Sequence, residues 1–70
     1  MFTVMHIHDS DDRLSQKTLY QADRVIHQPE KEGRPASLEF IATGGFIELY
    51  EGQVFIMNDN GSTVAKYKLG

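Results

Sequence analysis

The sequence predicts a small all-β domain, an antiparallel meander of five or six strands. Three observations predict it: apolar and polar residues alternate in runs of strand length, glycine- and asparagine-bearing turns separate those runs, and 70 residues leave room for one core only.

From the N-terminus, Phe2, Val4, His6 and His8 alternate with Thr3, Met5 and Ile7, the period of a strand, which Asp9-Ser10-Asp11-Asp12 would end. The stretch from Leu14 to Gln28 admits two readings. As a helix it starts from an Asp9 or Ser10 cap, keeps Asp11 and Asp12 near its positive end and gathers Leu19, Ala22 and Ile26 on one face. As a strand, residues 20–27 pair with residues 37–42 through the polar loop 29–35. Clustered β-branched and aromatic residues and a loop of hairpin length favour the strand; the alternative fold is an α+β sheet with one helix within residues 11–28.

Gly44-Gly45 then separates residues 38–42 from residues 46–50. A two-residue turn at the glycines would pair Ala42 with Ile47 and Phe40 with Leu49, setting Leu38, Phe40, Ala42, Ile47 and Leu49 on a core face. Glu39, Ile41, Thr43, Phe46, Glu48 and Tyr50 share the wetter face. Glu51-Gly52 leads directly into residues 53–57, which form the last hairpin with residues 63–67 around Asn58-Asp59-Asn60-Gly61-Ser62. Asn60-Gly61 suits a type I′ turn, with Met57 against Val64; Asp59-Asn60-Gly61 suits a type I turn closed by a glycine bulge, with Ile56 against Val64. The meander from Ser37 to Leu69 would close as a rolled sheet or an SH3-like barrel.

Composition narrows the function more than it names it. Ten acidic and seven basic residues give a net charge of −3. Residues 1–35 carry six acids and five bases, and residues 36–70 carry four acids with only Lys66 and Lys68, so no basic patch speaks for nucleic acid. The N-terminus has no basic region followed by an apolar stretch, and no run approaches membrane-span length, so the chain reads as soluble and unprocessed. The absence of cysteine fits a reducing cytoplasm and excludes thiolate metal sites.

Motifs for chemistry are sparse. His6 and His8 fall on one side of a strand, and with His27 they make the candidate set for a divalent metal, although solvated or packing histidines explain the spacing better. Asp9-Ser10-Asp11-Asp12 lacks the glycine and the twelfth-position glutamate of a calcium loop, Tyr20 standing in that slot. Ser10, Ser15, Ser37 and Ser62 lie in no nucleophile motif, and Gly44-Gly45 is too short to cradle phosphate. The expectation is therefore no enzyme and no cofactor, but a protein-interaction module. Its surface would be Phe46, Tyr50, Tyr20 and Ile41, left apolar on the wetter face, and its partner another protein or a second copy in a homodimer. The alternative is a small-ligand or metal binder using His6, His8 and His27.

Overall fold

A computed structural model describes residues 1–8 and 17–70. The expected cap, strand end and calcium-loop comparison at residues 9–12 lie outside the described residues. Six strands form: β1 (Phe2–Ile7), β2 (Lys17–Gln28), β3 (Ser37–Ala42), β4 (Gly45–Leu49), β5 (Gly52–Met57) and β6 (Thr63–Leu69). All pair antiparallel in one open sheet of order β4-β3-β2-β1-β5-β6. Residues 17–28 are strand, as favoured above, and among the described residues no helix is long and apolar enough to cross a membrane.

The all-β antiparallel expectation holds, but the run from Ser37 to Leu69 is not a continuous meander. β5 leaves its sequence neighbour β4 and pairs with β1, Val4 facing Ile56 and His6 facing Val54. The Gly44-Gly45 turn is also displaced: Ala42 faces Gly45, Phe40 faces Ile47 and Leu38 faces Leu49, so Thr43 and Gly44 make the turn. A shift of two residues in pairing preserves the side-chain faces, and the expected core set survives it. In the last hairpin the Gly61 amide donates to the Asn58 carbonyl at 3.0 Å, Gly61 has φ 82°, and among the described residues none other than glycine has positive φ. That geometry is the type I turn with a glycine bulge, since type I′ would require Asn60 at positive φ. Neither expected pairing of Val64 survives. A further irregularity sets Met57 against Thr63 and Ile56 against Ala65 and leaves Val64 out of the ladder.

β2 is long enough to serve two sets of neighbours. Its first half pairs with β1 and its second half with β3, and the register shifts between Ala22 and Val25. Such a bulge bends a strand and lets the sheet turn a corner. The inner face then closes over Val4, Ala22, Leu38, Phe40, Leu49, Val54, Ile56 and Leu69, all buried in one cluster. Two ring contacts document the roll. Tyr20 packs edge-on against Phe40 with centroids 5.1 Å apart, and His27 of β2 stacks on Tyr67 of β6 at 4.7 Å, although β1 and β5 separate those strands in the sheet.

The corner between β4 and β5 is held by polar contact and close approach. His6 Nε2 donates to the Glu51 carbonyl at 2.8 Å. Gly52, at φ 94°, lies so near β1 that a Cβ there would meet the Ile7 carbonyl oxygen and His6 Nε2. Both the conformation and the space demand glycine.

Gly52 and Gly61, both at positive φ, should therefore respond differently to alanine. Gly61 has open space beside it, so Gly61→Ala carries conformational strain alone, about 1 kcal/mol. Gly52→Ala adds overlap with backbone, for a loss on the order of 3 kcal/mol or more. Urea denaturation of both variants measures the ranking, and equal midpoints would refute the corner's role.

Candidate functional site

The bulge in β2 decides what the outer face presents. Ala22 points inward, and strict alternation would send Ile26 the same way. The extra residue between Ala22 and Val25 puts Val25 opposite Phe40 on the inner side and turns Ile26 outward opposite Glu39. On the neighbouring strands Ile41 faces Phe46 and Glu39 faces Glu48. Ile26, Ile41 and Phe46 are 44%, 72% and 60% exposed, and together with Asp23, Arg24 and Glu39 they line an open groove of about 310 Å³. It combines an apolar floor with charges of both signs at its rim, and lies on β2, β3 and the edge strand β4.

Of the surface residues expected from sequence, Phe46 and Ile41 come together as a cross-strand pair at this groove. Tyr50 lies just past the end of β4, partly exposed, and its hydroxyl donates to Glu48 Oε2. That bond and the surrounding carboxylates hold the phenol's ionisation above the ordinary tyrosine value, because removing the proton would set two negative charges side by side. Tyr20 corrects the expectation. It belongs to the inner face, half-buried against Phe40, because it shares the parity of Ala22 before the bulge. Ile26 is the residue that sequence reading missed as a surface group, and only the bulge could have revealed it.

The histidines take separate duties. His6 is buried, its Nε2 donates to the Glu51 carbonyl, and its Nδ1 has no hydrogen-bond partner among the described residues. His8 is exposed, shares a 2.7 Å hydrogen bond with Thr18 Oγ1 and lies with its ring centroid 4.2 Å from that of His6. His27 is stacked on Tyr67. Among the described residues no three histidine, aspartate or glutamate side chains gather to hold a metal ion.

No protein-family model matches the chain, and neither a curated protein nor a solved structure matches it.

If these histidines serve packing, zinc titration calorimetry of the protein should give no saturable heat, and replacing His6 and His8 together by Gln should leave the titration unchanged. A saturable signal lost in the double variant would restore the metal reading.

Proposed function

We propose that the protein is a non-catalytic interaction module, a small accessory chain of the cytoplasm that holds another protein, or a further copy of itself, against the outer face of β2, β3 and β4. The observation that carries this reading is the Ile26, Ile41 and Phe46 surface, three large apolar side chains in water around one groove. Covering a side chain of this size is worth about 1.5–3 kcal/mol, so three in one patch represent a binding free energy the monomer leaves unused. An apolar centre with a charged rim is the anatomy of a docking surface. The two described serines have structural places: Ser37 is buried in β3, and the Ser62 amide is tied to the Asn58 side chain in a turn.

A photoreactive phenylalanine analogue at position 46, in cells that natively express the chain, should give a covalent adduct with a protein partner. The same group at Lys17, the first residue of β2 and away from the groove, should not. Phe46→Ser should shift stability by no more than about 0.5 kcal/mol, as expected of an exposed site. An absence of adducts from position 46 would overturn the assignment of this surface.

A further inference from the structure

The sheet is open, so two strands have one unpaired flank each, β4 and β6. Neither contains proline, the simplest block to further pairing. Their outer-face charges are opposite. β4 presents Glu48, already beside Glu39 across the β3 pair, while β6 presents Lys66 and Lys68, which share the outer face with Phe55 and Gln53 of β5. Pairing β4 with a second β4 over its whole length sets Glu48 opposite Phe46 and joins no unlike charges, and pairing β6 with a second β6 would face lysine with lysine. Only the mixed pairing joins unlike charges.

Strand direction agrees. With six strands alternating in direction, β4 and β6 run opposite ways, so a β6 added beside β4 with its inner face on the same side continues the antiparallel alternation. Placing Gly45 opposite Leu69 and Leu49 opposite Ala65 gives every β4 residue a partner. The same register sets Glu48 opposite Lys66, Phe46 opposite Lys68, and Ile47 opposite Tyr67 on the inner side. Shifting it by two residues leaves Glu48 against Val64 in one direction and Gly45 without a strand partner in the other.

Resting on the reading of the chain as an interaction module, we propose that its partner includes itself: copies assemble head to tail, the β6 edge of one laid antiparallel on the β4 edge of the next. The contact is heterologous, so it generates a ring where the rotation closes and a filament where it does not.

Sedimentation equilibrium and native mass spectrometry on the full chain test this. The parent protein should self-associate. Glu48→Lys and Lys66→Glu should each weaken association at least about tenfold, as a like-charge contact replaces an attractive one. Their equimolar mixture should assemble again, because each variant's intact edge and reversed edge match those of the other. Thermal melts establish that both variants are folded, and Glu48→Gln with Lys66→Gln should give intermediate association. A parent that stays monomeric overturns the proposal and leaves the groove to be judged by cross-linking at position 46. Self-association that ignores Lys66→Glu yet is lost in Phe46→Ser overturns it in favour of a twofold contact through the groove. Folded variants that weaken singly but do not recover in mixture also overturn it.

Discussion

The passage from β4 to β5 is the constraint on which the rest of the structure depends. Only Tyr50 and Glu51 separate Leu49 from Gly52, yet β5 lies four positions from β4 in the sheet order. In a flat sheet four strand spacings amount to roughly 19 Å. Three consecutive Cα steps reach at most about 11 Å. The sheet must therefore roll until the two strands approach, and the bulge in β2 is where it bends. At the corner itself, the Glu51 carbonyl is met by buried His6 and Gly52 fits against the Ile7 carbonyl with no room for a side chain. The roll that this short connection imposes is also what gives one sheet of 70 residues an interior: it folds the apolar face onto itself.

That dependence explains which parts of the structure were legible in the sequence. Strand positions were, outside the stretch 14–28 that also fitted a helix, because alternation and turn residues are local. The faces of the 38–49 hairpin also followed from alternation, and they survived an error in the turn because slipping by two residues does not exchange faces. The neighbour of β5 was not legible. Val54 and Ile56 need an apolar face beside them, and both β4 and β1 offer one, so pattern alone cannot choose. The site was half legible. Phe46 and Ile41 follow from alternation in a clean hairpin, but Ile26 and Tyr20 lie on opposite sides of a bulge that no glycine or proline announces.

His6 illustrates how a residue that reads as chemistry can be architecture. A histidine two positions from another on one strand suggests ligands, but its Nε2 is committed to the backbone of the one connection that makes the sheet roll. An aliphatic residue in its place would leave the Glu51 carbonyl without that donor and loosen the corner. The ring therefore supplies bulk for the inner face and a directional bond for the corner at once.

The outer face shows the complementary economy. Rolling buries the centre of the inner face and does nothing for the other, so apolar groups outside must be tolerated or covered by something else. Carboxylates directly opposite one another, as Glu39 and Glu48 are, oppose pairing by about 0.2–1 kcal/mol. The Tyr50 hydroxyl offsets part of that repulsion from one end of the row. On the other side of Glu48 lies the flank of β4, which no strand among the described residues pairs with. A cation on an added strand would meet the carboxylates at that flank, and a side chain next to Phe46 would cover the groove. In the proposed head-to-tail contact, backbone pairing, charge relief and apolar burial would therefore converge on one edge of the sheet.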